Sequence, residues 1–254
     1  MPVSVIMPAL NAGRFIDAAI RSLLRERELV ALDIIVIDDG SSDDTRAKVG
    51  ALAGEFPEVR LLQNPRKGIA AARNTGLDHL PAGCRFVTFL DADDISYPGR
   101  IERQRSLLVD DPTIDVLYGV MRMFKVLDES TLAPAAGSPT KTIRGPYLQS
   151  SMYRRAVFDD VGRFDESFRQ GDDTDFILRV IDHPFRVVLD DGVAAYYRRH
   201  DANVTLNVAE VQREFMLANV KFAVRRRKGG KGTIPPIYSA LFLSRDQIEK
   251  DFGQ

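Results

Sequence analysis

Cysteine occurs once in the 254 residues, as Cys84. That excludes an internal disulfide framework and fits a reducing compartment. No basic neighbourhood or helix start stands beside Cys84, so it reads as a packing residue and not a nucleophile. An excess of charge is also lacking: 35 Lys and Arg face 36 Asp and Glu, for a formal net charge of −1. Nothing global therefore points to a nucleic-acid partner. No apolar run approaches the length of a membrane span. The first residues carry no basic segment followed by an apolar core, so no signal peptide is expected. Internal repeats and long low-complexity tracts are missing too. The expectation is a cytoplasmic protein. Its 44% hydrophobic and 28% charged residues can build a sizeable core, and its length suits one large α/β domain or two small ones.

The chain is organised around Phe86-Val87-Thr88-Phe89-Leu90-Asp91-Ala92-Asp93-Asp94. Five mostly apolar, β-favouring residues read as a buried parallel strand. Three carboxylates follow at its C-terminal end, the edge where open α/β sheets bind ligands. Like charges that close destabilise the fold. A hard divalent cation, Mg²⁺ or Mn²⁺, removes that penalty. A solvated acidic turn is the alternative, because short motifs alone are weak.

The preceding residues repeat the pattern. Val3 to Met7 reads as a strand ending in Pro8-Ala9-Leu10-Asn11-Ala12-Gly13, and Phe15 to Leu24 follows with helical spacing. Asp33 to Ile37 is a second strand, ending in Asp38-Asp39-Gly40-Ser41-Ser42-Asp43-Asp44, where Ser42 or Asp43 can cap the next helix. Val59 to Leu62 leads to Asn64-Pro65-Arg66-Lys67-Gly68 and a helix from Ile69 to Leu80 carrying Arg73 and Asn74. Strand and helix alternate four times, which predicts a doubly wound sheet with right-handed crossovers. Beyond Pro98 the spacing predicts a helix over 101–108 and a strand over 116–126 with Gly119 as a bulge. A mobile loop is expected over 133–145, then a short helix within 152–161, a loop with two buried aromatics over 162–168 and a helix from Asp173 to Ile181. Short strands follow at 187–189 and 193–197, then a long helix over 207–228. The last twenty or so residues show no clear pattern.

At this point the chain resembles the family 2 glycosyltransferases. The resemblance rests on Val5-Ile6-Met7-Pro8-Ala9-Leu10-Asn11, Ile37 to Asp43, Gly68 with Ala72-Arg73-Asn74, and Leu90 to Asp94. Val161 to Asp165, Gly171 to Phe176 and Tyr197-Arg198-Arg199-His200 complete it, seven motifs in order over roughly residues 3–205. It implies a GT-A fold: a Rossmann-like, doubly wound mixed sheet with helices on both faces and a C-terminal helical tail. A nucleotide-binding half (1–97) and an acceptor half (98–206) would form the transferase domain, followed by a helix and tail (207–254). The implied enzyme is metal-dependent. It moves a sugar from a nucleoside diphosphate sugar, a UDP-sugar first, to an acceptor hydroxyl with inversion.

The resemblance also assigns roles. Asp93 is the metal ligand for Mn²⁺ or Mg²⁺, with His200 beside it or on the diphosphate; a lone His is as readily structural. Asp91 and Ala92 lie near the ribose, and Asp94 orients a metal water or another ligand. Asp39 accepts a hydrogen bond from the base, while Asp38 divides between a site role and a turn. Pro8, Ala9 and Leu10 line the base pocket through their backbones, and Asn11 orders the turn. Gly68 marks a close approach, and Arg73 stands on the nucleotide side. Arg198 or Arg199 reaches the phosphates, and residues 201–207 form a lid. Asp173 is the catalytic base, and it is also placed to cap its helix. Asp172 contacts the acceptor, although the family usually has Glu there.

The expected partners are a nucleotide-sugar donor and a hydroxyl-bearing acceptor, with a homodimer open and no nucleic acid. The basic run Arg225 to Lys231, followed by Ile237, Tyr238, Leu241, Phe242 and Leu243, suggests peripheral membrane contact or a packing tail. An aspartyl-phosphate phosphotransferase shares the strand-then-Asp-x-Asp pattern, but there the motif opens the domain. A non-catalytic sugar-nucleotide binder would not need both Asp93 and Asp173. A pyrophosphorylase would need a Gly-rich phosphate loop after the first strand, and none is seen.

Overall fold

The computed structural model describes residues 2–201, 203 and 206–229. The first half alternates as the apolar spacing dictates. β1 (Val3–Ala9), α1 (Ile16–Leu24), β2 (Leu32–Asp38), α2 (Thr45–Glu55), β3 (Val59–Gln63), α3 (Ile69–Asp78) and β4 (Phe86–Phe89) follow one another. β3, β2, β1 and β4 lie side by side in parallel. β1, β2 and β4 are covered on both faces, which is why they are mostly apolar, with Ser4, Asp33 and Thr88 as polar exceptions. Val5, Met7, Ile34 and Val36 face α1 and one core; Ile6, Ile35 and Ile37 alternate to the other face and a second core.

The acidic turn leads into β5 (Ile95–Ser96) and α4 (Arg100–Asp110). β6 (Val116–Phe124), β7 (Leu127–Asp128), β8 (Ala133–Pro134) and β9 (Lys141–Ile143) follow. A 3₁₀ turn (Leu148–Ser150) precedes β10 (Ser151–Arg154) and α5 (Ala156–Val161). Then come α6 (Asp172–Ile181), β11 (Val187–Arg198) and α7 (Val208–Lys228). The sheet continues from β4 through β10, β6 and β11 to β5, with β9 on β6. β10 runs antiparallel to both β4 and β6, so the sheet is mixed and continues across residue 97.

Three local expectations are corrected. Residues 133–145 are not one irregular loop, since β8 pairs with β7 and β9 pairs with β6. The strands expected at 187–189 and 193–197 are one strand, irregular between Leu189 and Ala195. That irregularity explains Gly119: it sits in regular β6, opposite the bulge. A Cβ on it would lie 2.7 Å from the Ala194 Cβ and 3.0 Å from the Gly192 carbonyl.

α7 reverses the usual amphipathic arrangement. Its buried face carries Glu214, Ala218, Phe222 and Arg226, while Met216, Leu217, Val220 and Val224 are exposed. Ion pairs fasten it: Lys221 Nζ to Asp165 at 2.7 Å, Arg225 to Asp175 at 2.8 Å, and Arg226 to Asp182. Arg225 and Arg226 of the basic run are thus paired with α6 and its C-terminal end. Arg227 and Lys228 remain exposed. The apolar tail, Ile237 to Leu243, lies outside the described residues, and no described helix is long and apolar enough to cross a membrane.

Candidate active site

The parallel strands deliver their polar ends to one rim. The ends of β1 and β2 are laced together. Asn11, in the left-handed region at φ 49°, accepts from the Ser42 N–H through its side-chain oxygen and donates its own N–H to Ser41 Oγ. It orders the turn as expected. Asp38 is buried and accepts from the Ser41 N–H, a turn role. Asp39 is half-buried. It accepts from Asn64 Nδ2 at 2.6 Å and from the Gly68 N–H, and its own N–H donates to the Ala9 carbonyl. Gly68, at φ 105°, starts α3 in a conformation that other residues resist. Pro8 and Ala9 are buried and Leu10 is exposed. Asp39 is therefore fixed from three sides, with Asn64 as a partner that no motif announced.

The acidic turn after β4 separates its three carboxylates. Asp94 is fully buried and accepts from the Arg198 N–H at 2.9 Å. Burial, with the charges of Asp93 and Asp91, pushes its carboxyl well above the usual range. It faces inward and braces the end of β11. Asp93 is partly exposed. Its Oδ2 lies 2.9 Å from His200 Nε2, and Asn203 Nδ2 lies 3.1 Å from the same ring nitrogen. The His200 ring packs on Phe15 at 4.4 Å between centroids, and the His200 N–H donates to Asn203 Oδ1. Residues 107 positions apart thus present one hard oxygen and one imidazole nitrogen side by side, a donor pair that suits Mn²⁺. Among the described residues no third His, Cys, Asp or Glu joins them. Further ligands would have to come from a bound diphosphate or water.

Arg73 connects this turn to α6. It is buried, and Nη1 donates to Asp172 Oδ2 at 2.7 Å while Nη2 donates to Asp91 Oδ1 at 3.3 Å. Burial pulls its pKa down, but Asp172 and Asp91 outweigh that and leave it raised, so Arg73 stays a cation. Asp172 has no solvent exposure. The expected role of Asp172 is an acceptor contact; its carboxylate turns inward to Arg73. Asp173, beside it, is only half-buried. Its Oδ1 accepts from the N–H and hydroxyl of Thr174 in the first turn of α6, where the helix dipole favours negative charge. Asp91 is also held by Gln149 Nε2 from the 3₁₀ turn. Gln149 was not singled out in the sequence, since nothing in Tyr147-Leu148-Gln149-Ser150 distinguishes it.

Arg198 is buried against the Phe15 and Phe124 rings, and its Nε and Nη2 have no hydrogen-bond partner among the described residues. Arg199 is half-buried, and its N–H donates to the Phe124 carbonyl. Of the expected lid, only residues 201, 203, 206 and 207 are described.

Several known proteins are similar to this chain. The Escherichia coli UDP-Glc:alpha-D-GlcNAc-diphosphoundecaprenol beta-1,3-glucosyltransferase WfgD is 36% identical over 149 residues, covering 58% of this chain and 55% of WfgD. The Rhizobium meliloti succinoglycan biosynthesis protein ExoU is 29% identical over 236 residues, covering 83% of this chain and 66% of ExoU. The chain spans about half the length of WfgD. Among solved structures, the Pyrobaculum calidifontis mannosyltransferase PcManGT, in complex with GDP-Man and Mn²⁺, superposes with a TM-score of 0.69 at 19% identity, over 95% of this chain and 68% of that one. S. aureus TarS 1-349 with UDP-GlcNAc gives 0.65 at 19% identity, over 82% and 61%. The fold is GT-A. The glycosyl transferase family 2 model matches residues 4–169, and the chain belongs to that family.

Proposed function

We propose that the chain is an inverting glycosyltransferase. It moves a sugar from a UDP-sugar to an acceptor hydroxyl. The observation that carries the reading is the spacing of roles around Arg73. The hydrogen-bonded pair Asp93 and His200, read as metal ligands, stands at one end. A half-exposed carboxylate at a helix start, Asp173, stands at the other, and Arg73 links Asp91 to Asp172 between them. Asp39, with Pro8 to Leu10, would take the base.

Asp93 and His200 fit Mn²⁺ or Mg²⁺, the ions bound by solved neighbours such as PcManGT and the Mycobacterium tuberculosis glucosyl-3-phosphoglycerate synthase. When bound, such an ion stabilises charge developing on the leaving diphosphate. Arg198 or Arg199 adds positive charge on the same side. Asp173 removes the proton of the acceptor hydroxyl as its oxygen attacks the anomeric carbon on the face opposite the diphosphate. Thr174 keeps that carboxylate oriented.

WfgD acts on a sugar carried by diphosphoundecaprenol. A lipid-linked acceptor of that kind is the reading here. The exposed aliphatics of α7, bordered by Arg227 and Lys228, support contact with an anionic membrane that carries it. Salt-independent failure to sediment with anionic liposomes would remove the membrane part alone. The transferase reading is tested by UDP release from a panel of UDP-sugars with Mn²⁺ and a lipid-diphosphate-linked sugar. Product linkage is then read by NMR. Absence of transfer and of donor hydrolysis across the panel, with UDP still bound, would favour a non-catalytic sugar-nucleotide binder.

A further inference from the structure

The 3₁₀ turn at Leu148–Ser150 is held by an unusual investment of buried polar groups. Arg100 and Gln104 on α4 are fully buried, with no carboxylate in hydrogen-bond contact with either. Gln104 Nε2 donates to the Ser150 carbonyl at 2.8 Å, and Arg100 Nη2 donates to the Ser151 carbonyl at 2.9 Å. Thr88, on β4 just before the acidic turn, donates to that same Ser151 carbonyl and accepts from Arg100. Burial lowers the Arg100 pKa to about 9, a sign of how much solvation the guanidinium gives up. Arg100 Nη1 is buried without a hydrogen-bond partner, but every group that faces the turn is paired, and such paired buried groups fix one conformation. The conformation fixed here is that of a turn whose flanking side chains, Leu148 and Ser150, point into the protein. The one between them, Gln149, is half-buried and reaches Asp91.

A carboxylate only accepts, so the Gln149 amide must turn its Nε2 to Asp91. Its Oε1 is thereby directed elsewhere, with no protein partner among the described residues. The site fixes what it can meet. Asp91 lies between the Asp93–His200 pair and the Arg73–Asp172–Asp173 side. On the transferase reading, on which this inference rests, the donor spans that interval, its ribose on one side of Asp91 and its sugar on the side toward Asp173, between diphosphate and base. We infer that Gln149 positions Asp91 and, through its amide oxygen, accepts a hydrogen bond from a hydroxyl of the donor sugar. It is therefore a determinant of which sugar is transferred.

The test uses Gln149→Met, which keeps length without hydrogen bonds, and Gln149→Glu, which sets a second carboxylate against Asp91. UDP binding with Mn²⁺ is measured by calorimetry, and kcat/KM is measured over UDP-Glc, UDP-Gal and UDP-GlcNAc. Gln149→Met is expected to bind UDP within about twofold of wild type. It should lose about tenfold in kcat/KM for the preferred sugar, the scale of one hydrogen bond, and discriminate less among the three. Gln149→Glu should lose more, again with UDP affinity kept. The inference is overturned if both variants keep wild-type sugar discrimination, or if UDP affinity falls in parallel with UDP-sugar affinity. Should one variant not fold, the other decides by the same criteria. A wild-type protein that uses no UDP-sugar would sink the transferase reading instead, which is a separate outcome.

Discussion

Arg73 and Asp172, 99 positions apart, form an ion pair at 2.7 Å from which solvent is excluded. Breaking a buried pair by removing one partner leaves an uncompensated charge and costs about 3–5 kcal/mol. Asp172→Ala is therefore expected to lower the melting temperature markedly and to reduce kcat, because Arg73 then answers to Asp91 alone. Thermal unfolding and steady-state kinetics check it. An Asp172→Ala protein with wild-type stability and only a raised acceptor KM would restore the acceptor-contact reading.

Removing the metal should remove activity. Asp93 and His200 offer two ligands, and the described residues supply no third acidic, His or Cys group beside them. A two-ligand site holds its ion weakly until the diphosphate completes it. EDTA is expected to abolish transfer, and Mn²⁺ to restore it. In calorimetry, Asp93→Ala should lose the Mn²⁺ dependence of UDP binding while its melting temperature in EDTA stays near wild type. Full activity of the wild type in EDTA would exclude the role.

Acid should loosen α7 before the sheet. Burial would raise the Asp165 carboxyl, but hydrogen bonds from Lys221 and Ser167 and the Lys221 charge outweigh it and hold it at about 2. Its folded value lies below the ordinary carboxylate value of about 4. The contribution is therefore complete above that value and is lost as pH falls toward 2. Protection factors of residues 208–228, with the intrinsic pH dependence of exchange divided out, are expected to fall over that window, and Lys221→Met should show lowered protection already at neutral pH. Protection factors that are flat in pH for both proteins would count against Asp165 as the anchor.

Much of this arrangement was legible in the sequence, and for a physical reason. Strands buried on both faces must be mostly apolar, so β1, β2 and β4 stand out despite Ser4, Asp33 and Thr88, and their polar ends mark the rim without further information. The Asn11 turn, the start of α6 and the lone buried Cys84 follow from local chemistry alone. What could not be read depends on distant partners. Asp172 points inward because Arg73 waits on α3, and Asp94 because Arg198 ends β11. Gln149 matters only because Arg100 and Gln104 cross the core to hold its turn. The strands at 127–143 are too short to show a period of two. Gly119 marks a bulge, but on the strand opposite.

The last prediction concerns Asp173. It is the second residue of α6, after Gly171 and Asp172, and the Thr174 N–H and hydroxyl both donate to its Oδ1. One oxygen is thus tied to the helix start while Oδ2 makes no bond to the protein among the described residues. A base needs that free oxygen to meet the acceptor hydroxyl, and it needs negative charge, which the helix dipole favours. Asp173→Asn preserves size and the contact to Thr174 but cannot take a proton. It is expected to bind UDP and Mn²⁺ as wild type does and to lose transfer by roughly a hundredfold or more, the scale of a lost general base. Asp173→Glu should recover part of the rate, because basicity returns while the reach changes. Retention of the donor's anomeric configuration in the product, or near wild-type transfer by Asp173→Asn, would assign the proton to another group.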